Sequence, residues 1–583
     1  MFLITTALEE SWKKEEEVLF LGEWCKVYNR KHIWDKLIFQ TLPYHWDNRN
    51  KFQNENILLE SIYEKYLSIL TGEFNSIHDE NHSIRYWRIV IGLWLRYFIE
   101  ILFDRYQSII SANGCYKIDE TWIFKYSLSD WVPLNYQEFH KLTLDDKWNH
   151  ILYSEIIKLF DIIPYKIIDT KIFPNQKVQN SSYLNAFIKN IIIQCNRIIP
   201  NKYKEIFFVN TIWPTKDVFS LQLALNQMPN LFELFVAPAK VARKPFNKIL
   251  RAKLSLNNAD NQFETLLEKL IPHFLPLAYL ECYKQLKINT EKIYPKRAKL
   301  IFTANAYSFD EGFKIWSGSQ VEQGAKLILG QHGGRTGTAK IHQVDKHQIK
   351  ICDNYISWGW KKDKVKNITP LPSIKLAKIK ISPIPDGKVL VFLPSYQKYF
   401  YHSCSMPLAG QCIKHFENQL LVLKYLPTQI SENYNFRLGP RGDARDIELR
   451  LEDRGLGDLI GNRDKSFVDS ANESRLIIHS DNSTSLLETM AANYPTLIYW
   501  NPEYYELTDE AKPYFEEFYD LGVMHYNAKS IANKINQIYS ATESWWSQPE
   551  IQNVRNKFCN NFALTSDDWL ESWKKCFTLL IKS

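Results

Sequence analysis

Short apolar runs alternate with helix-like stretches along most of this 583-residue chain, and that alternation narrows its fold more than any other feature. Runs suited to buried parallel strands lie at Glu205–Asn210, Leu234–Ala237, Lys299–Ala304, Ala325–Gly330 and Asn354–Ser357, with helical patterns such as 260–288 between them. Strands spaced by helices imply βαβ units and a parallel sheet. Thr369-Pro-Leu-Pro372 and Ser382-Pro-Ile-Pro-Asp-Gly387 then break the rhythm, and proline with glycine at this density reads as an interdomain connector. The rhythm restarts at Lys388–Leu393, Tyr434–Leu438, Arg475–His479 and Thr496–Trp500, with helical patterns at 410–426 and 484–492. The expected class is α/β. An N-terminal domain spans 1–365 with a helical insertion at about 50–200, a linker 366–387, a C-terminal domain 388–525 and a helical tail 526–583. Two such domains would form a cleft, a common place for ligands.

At the N-terminus, Phe2–Thr6 and Val18–Leu21 are compact apolar runs that can open a sheet, and 54–71 and 84–112 carry helical spacing. The stretch Tyr86 to Phe103 contains Arg88, Arg96 and Glu100. It falls short of the ~20 apolar residues of a membrane span and reads as a core helix. The first ten residues lack a basic region and turn acidic at Glu9 and Glu10, unlike a signal peptide. Nine cysteines occur without a CxxC pair, which argues against a disulfide framework or structural zinc and fits a reducing cytoplasm. The net charge of +7 suits an anionic substrate or an acidic membrane surface. No dense basic stripe interleaved with aromatics suggests nucleic acid. The 18 Trp, 32 Tyr and 33 Phe suit a sugar-binding cleft and an aromatic core equally well.

Three segments carry candidate chemistry. Gln331-His332-Gly333-Gly334 follows the run ending at Gly330. Glycines there let the backbone turn and approach a ligand, and ligands of open α/β sheets sit at strand carboxyl ends; a surface turn is the plain alternative. His479-Ser-Asp-Asn-Ser483-Thr484-Ser485-Leu-Leu-Glu488 places hydroxyls at a helix start, where they cap N–H groups and favour an anion. A simple capping box is the competing reading. Asn435-Phe-Arg437-Leu-Gly-Pro440-Arg-Gly-Asp443 ends a strand in arginines suited to phosphate. Among acids, Glu9 and Asp310 follow strands and can act as a base on a hydroxyl, although acids at helix starts are common. His45-Trp-Asp47 and Arg85-Tyr-Trp-Arg88 can line an acceptor pocket or pack in the core. Asp345, His347 and Asp353 lack a metal-ligand pattern, so no metal is expected.

Thr5-Thr-Ala-Leu-Glu9, Leu21-Gly-Glu-Trp-Cys25, Arg85-Tyr-Trp-Arg88, Gln331-His-Gly-Gly334, Trp358-Gly-Trp360 and Asn482-Ser-Thr-Ser485, taken in order, resemble a family of bacterial surface-carbohydrate transferases. The resemblance covers residues 1 to about 525. That family is distantly similar to capsule Kdo transferases and retaining pseudaminic-acid transferases. It implies a GT-B fold of two Rossmann-like domains and a CMP-activated donor. It also implies a Ser/Thr pair on the donor phosphate, matched by Ser483 and Thr484, and an acidic acid/base pattern, matched by Asp310-Glu311-Gly312. The His-Pro element of those relatives is replaced by Gly439-Pro440.

The expected protein is therefore a glycosyltransferase using a nucleotide-sugar, with no cofactor and no metal. His332, Glu9 and Asp310 would carry the chemistry. Gln331, Gly333, Gly334, Arg437, Pro440, Ser483, Thr484, Ser485, Glu488, His45 and Arg85 would bind donor or acceptor. The acceptor would be a glycan or lipid-linked glycan, and the location cytoplasmic or peripheral on the inner membrane. The alternatives are a CDP-polyol phosphotransferase of the teichoic-acid type and a non-catalytic glycan-binding assembly factor.

Overall fold

A computed structural model describes residues 1–174, 200–229, 239, 241–439 and 445–582. The expected strand Leu234–Ala237 and the site residue Pro440 lie outside the described residues. Three parallel sheets and a parallel strand pair organise the rest. The first holds β1 (Phe2–Ile4), β2 (Val18–Phe20) and β3 (Phe39–Thr41), in register Phe2↔Val18 and Val18↔Phe39. The pair β4 (Thr121–Lys125) and β5 (Tyr165–Lys171) adjoins β1 through a parallel bridge from Phe2 to Glu120. The second sheet contains β6 (Ile206–Phe208), β7 (Leu300–Thr303), β8 (Lys326–Gly330), β9 (Asn354–Ser357) and β10 (Ile368–Pro370), ordered β10-β9-β8-β7-β6. The third contains β11 (Lys388–Phe392), β12 (Tyr434–Arg437), β13 (Ser474–His479), β14 (Thr496–Tyr499) and β15 (Met524–His525), ordered β12-β11-β13-β14-β15. The second and third sheets are two all-parallel five-stranded layers. Their strands are apolar on both faces, as sheets covered by helices on both sides require.

Two features differ from the sequence reading. Residues 1–171 build a three-stranded sheet and a strand pair as well as helices; β3 to β5 escape the sequence reading because polar residues interrupt or flank their apolar ones. The linker is also shorter than 366–387. Ile368–Pro370 pairs with β9 as an edge strand, where the missing proline N–H is tolerated.

The helices Arg49–His78 and Ile84–Cys115 pack against each other. Asn48 and Ser83 cap them by accepting backbone N–H groups. Arg96 and Glu100 inside the second helix are buried and paired at 2.8 Å, which fits a core helix. Among the described residues no helix is long and apolar enough to cross a membrane. The tail is helical as expected. Its last helix, Trp569–Lys582, crosses back to the second sheet, where Trp573 and Phe577 pack with Phe208 and Phe302. Trp573 Nε1 donates to Pro372 O at 2.9 Å, so the last helix is fixed to the edge of the second sheet.

Candidate functional site

Strand order locates the site. In the third sheet β11 is flanked by β12 and β13, so the chain leaves β11 toward opposite sides and opens a crevice at their carboxyl ends. Phe392 closes β11 there, in register with Arg437 on one side and His479 on the other. The loop after β13 leads into the helix Thr484–Ala491. The loop after β8, residues 331–337, meets that helix start from the second sheet.

The contact is intimate. Gly334 N donates to Thr484 Oγ1 at 2.9 Å, and Arg335 N donates to Asn482 O at 2.8 Å. A Cβ on Gly334 would lie 2.3 Å from the carbonyl carbon of Ser483, so only glycine allows this approach. Gln331 holds the turn in shape. Its Oε1 accepts from Trp358 N and Trp360 Nε1, both at 2.8 Å, while Nε2 donates to Gly333 O at 2.9 Å. Gln331 is thus committed to the protein and positions the turn.

Arg335 sits at φ +65°, a left-handed conformation uncommon for a long side chain. Its guanidinium pairs with Asp481 at 2.8 Å. Burial opposes both charges, but each holds the other ionised: Asp481 stays below the usual carboxylate range and Arg335 above its own. Asp481 Oδ1 also accepts from Ser483 N at 3.3 Å. The acid at the helix start is therefore neutralised by Arg335 and repels an incoming anion less.

Around this seam His332, Ser483, Thr484 and Ser485 are half-buried. Ser483 and Ser485 hydroxyls lie 3.1 Å apart, and Ser485 reaches His479 Nδ1 at 3.3 Å. His479 is buried, which pushes it down to about 3, and its Nε2 meets Thr489 Oγ1 at 3.0 Å. Glu488 pairs with Lys375 at 2.9 Å, a lysine carried by the connector. His332 makes no side-chain hydrogen bond among the described residues, and its buried Nδ1 has no partner. Burial pushes its pKa below 6.5, Asp345 pulls it partly back, and His342 and Lys375 lower it further. The ring is neutral at pH 7 and free to accept a proton.

Arg437 stands on the same carboxyl edge. It donates to Ser470 Oγ at 2.6 Å and Lys465 O at 3.0 Å, and borders a cavity of about 250 Å³.

The other expected residues are placed elsewhere. Asp310 caps the helix Glu311–Glu322. Its Oδ1 accepts from Phe313 N at 2.9 Å and its Oδ2 from Tyr294 OH at 2.8 Å. Burial raises its pKa against those two bonds. Glu9 pairs with Arg30 at 3.1 Å, on the edge of the first sheet where Arg450 covers Tyr28. No hydrogen bond or ion pair among the described residues joins Glu9 or Asp310 to His332. His45 does not line a pocket: its side chain is buried and bonded to Asp104 at 3.0 Å. Arg85 is likewise removed from the site, because it grips Asp353 and Ile351 O at the amino end of β9, opposite the turn. Among the described residues no group of three or more His, Cys, Asp or Glu is arranged to hold a metal ion.

Three residues at the seam escape sequence reasoning. Asp481 sits inside one quoted motif and Arg335 directly follows another, but their pairing across 146 positions has no local signal. Lys375 lies in a connector that reads only as a spacer.

Among solved structures, the chain is similar to WaaG, a glycosyltransferase involved in lipopolysaccharide biosynthesis. The match covers 65% of this chain and 99% of that one, at 12% identity and a TM-score of 0.28. No curated protein matches it in sequence. Residues 1–577, nearly the whole chain and every element of the seam, match the LIC12162 family transferases, and the protein belongs to that family.

Proposed function

We propose that the protein is a glycosyltransferase of bacterial surface-polysaccharide or glycoconjugate synthesis. In this reading it transfers Kdo or another nonulosonic acid from a CMP-linked donor to a glycan or lipid-linked glycan, on the cytoplasmic face of the inner membrane. One observation carries the reading: a neutral, unpartnered His332 stands beside a glycine turn docked on the hydroxyl-lined start of the helix Thr484–Ala491. The donor phosphate would sit at that helix start, where N–H groups and the dipole favour negative charge. Ser483 and Ser485 would donate to it, and Lys375 would add a positive charge. As the sugar–phosphate C–O bond breaks, its electron pair stays on the nucleotide phosphate, and these fixed donors stabilise that charge. The acceptor hydroxyl attacks the anomeric carbon, and His332 takes its proton. Leaving-group stabilisation in this scheme rests on the helix and the cations.

The test is a donor panel of CMP-Kdo, CMP-pseudaminate, CDP-glycerol and UDP-sugars with a glycan acceptor, read by product mass and released nucleotide. Sugar on the acceptor with free CMP supports the reading. Glycerol phosphate on the acceptor would replace it with polyol-phosphate transfer. Nucleotide binding without turnover across the panel would make the protein a binding scaffold. A thermal-shift screen adds the base, since a ligand of the native state raises apparent stability. Stabilisation by CMP is expected, and stabilisation by UDP alone overturns the donor assignment.

A further inference from the structure

The loop before the helix Lys248–Arg251 is an exposed cationic stretch outside the site. Residues 241–254 contain Arg243, Lys244, Lys248, Arg251 and Lys253 and no acid. Its base is fixed. Arg251 is buried and forked onto Glu281 at 2.6 and 2.8 Å, and also donates to Pro272 O and Leu275 O. Asn247 caps the short helix through Leu250 N. The anchoring leaves the tip turned outward. Ile249 is 80% exposed, more than any other large apolar side chain among the described residues. Lys244, Lys248 and Lys253 are exposed, while Arg243 is paired with Glu138.

Two adjoining cavities of about 980 and 540 Å³ flank this tip and share Ser129, Phe246 and Lys248. The neighbouring strand edge repeats the chemistry. Ile167 is 52% and Phe173 53% exposed, with the Lys171 ammonium 4.9 Å from the Phe173 ring. Ile172 N bonds Lys125 O, two residues before Ser127 at the rim of the smaller cavity.

We infer that this face docks on an anionic lipid bilayer through Lys244, Lys248 and Ile249. A soluble anion would use the lysines and leave Ile249 in water. A bilayer satisfies both, since headgroup phosphates face the cations while the apolar side chain enters the acyl boundary. The proposal deepens the inner-membrane placement given above. Because it is read with vesicles alone, its failure leaves sugar transfer untouched, and failure of sugar transfer leaves it standing.

The test is co-sedimentation of the full chain with vesicles of phosphatidylcholine alone or with a quarter phosphatidylglycerol. Partition onto the anionic vesicles should exceed that onto neutral ones by about tenfold at low salt, and should shrink as salt shortens the screening length. Lys244→Glu with Lys248→Glu should lower it about tenfold, and Ile249→Ser about threefold, with melting temperatures unchanged. Lys529→Glu, an exposed lysine on the far C-terminal helix Ala528–Ile538, is the control and should change it less than about twofold. No preference for anionic vesicles overturns the inference, as does an equal loss in the control. Equal competition by a soluble acidic polypeptide would overturn it in favour of a protein partner.

Discussion

Two histidine clusters in this chain look alike in composition and differ in what surrounds them. Around His45, Asp104 accepts from His45 Nε2 and Tyr44 OH at 3.0 and 2.6 Å and pairs with Arg105. Arg105 goes on to Asn149 Oδ1 at 2.9 Å and Phe400 O at 3.0 Å. Burial opposes the Asp104 charge, but Arg105 and the two donors hold its carboxyl below the usual range. Around His332 there is also a buried Asp–Arg pair, Arg335 with Asp481, but the imidazole takes no part in it. The first cluster joins its histidine to the charges and shuts water out. The second leaves its histidine half-buried and unbonded beside half-buried hydroxyls. Both rings leave a buried Nδ1 without a partner, but His45 is tied through Nε2 to a buried ion pair and holds the fold together, whereas His332 makes no bond at a strand's carboxyl end and is available for chemistry.

The sharpest test of that contrast exchanges each histidine for alanine. His332→Ala should lower turnover by about 10²–10⁴-fold while leaving the denaturation midpoint unchanged. His45→Ala should cost about 2 kcal/mol of stability, because Asp104 loses a buried partner, with turnover per folded molecule preserved. Turnover and urea denaturation of both variants decide it, and matching behaviour would erase the distinction.

The next effect concerns the pair at the seam. Arg335→Ala strands Asp481 as a buried lone charge, a loss of about 3–5 kcal/mol. Asp481→Asn in the same chain should restore most of that. Arg335→Gly should lose about 1 kcal/mol less than alanine, because glycine accepts φ +65° without strain. If glycine and alanine melt alike, the backbone at 335 stores no strain.

Both clusters were hidden in the sequence to different degrees. Most strands of the second and third sheets were legible as short, largely apolar runs, whereas β10 read as connector and the two-residue β15 left no run to see. The expected Asn354–Ser357 coincides with β9, and Lys388–Leu393 overruns β11 by one residue. The first sheet was half legible, since β4 and β5 spell Thr-Trp-Ile-Phe-Lys and Tyr-Lys-Ile-Ile-Asp-Thr-Lys, where lysines and open faces blur the pattern. The turn at 331–334 and the helix start at 483–485 were each visible as local chemistry. That they touch depends on two sheets facing each other, and no local pattern encodes this. His45 and Arg85 sat in motifs dense with large polar residues, yet density cannot separate a pocket lining from a buried ion pair.

A pH series extends the contrast. Burial holds His332 below 6.5, so its neutral form persists into mild acid. The acid limb of turnover should therefore fall below pH 6.5 and disappear in His332→Ala. Stability should respond through other rings. Burial holds His150, His347 and His479 at about 3 in the folded chain. Their folded values lie below the unfolded one near 6.5, so their contribution is complete above pH 6.5 and is lost as pH falls toward 3. Each costs about 1.4 kcal/mol per pH unit across that window. Urea denaturation at pH 8, 6 and 5 should show an accelerating loss, and a flat series would contradict neutral burial.

The smallest effect isolates the single bond that joins turn to helix. Thr484 Oγ1 accepts the Gly334 N–H and has the Gly333 backbone packed beside it. Thr484→Val keeps the branched shape and removes the acceptor. Gly334 is half-buried, so water can replace part of the lost bond, and the cost should be near the low end for an unpaired donor, about 1 kcal/mol. Thr484→Ser restores the oxygen and should recover that loss. Thr489→Val removes the partner of His479 Nε2 instead; His479 belongs to the buried interior, so this change should lower stability and leave nucleotide-dependent thermal stabilisation unchanged. Thr484→Val should lower both. If the two valine variants lose nucleotide stabilisation equally, the helix start at 484 has no special claim to the phosphate, and the contrast between the bonded and the unbonded histidine must be drawn at His332 alone.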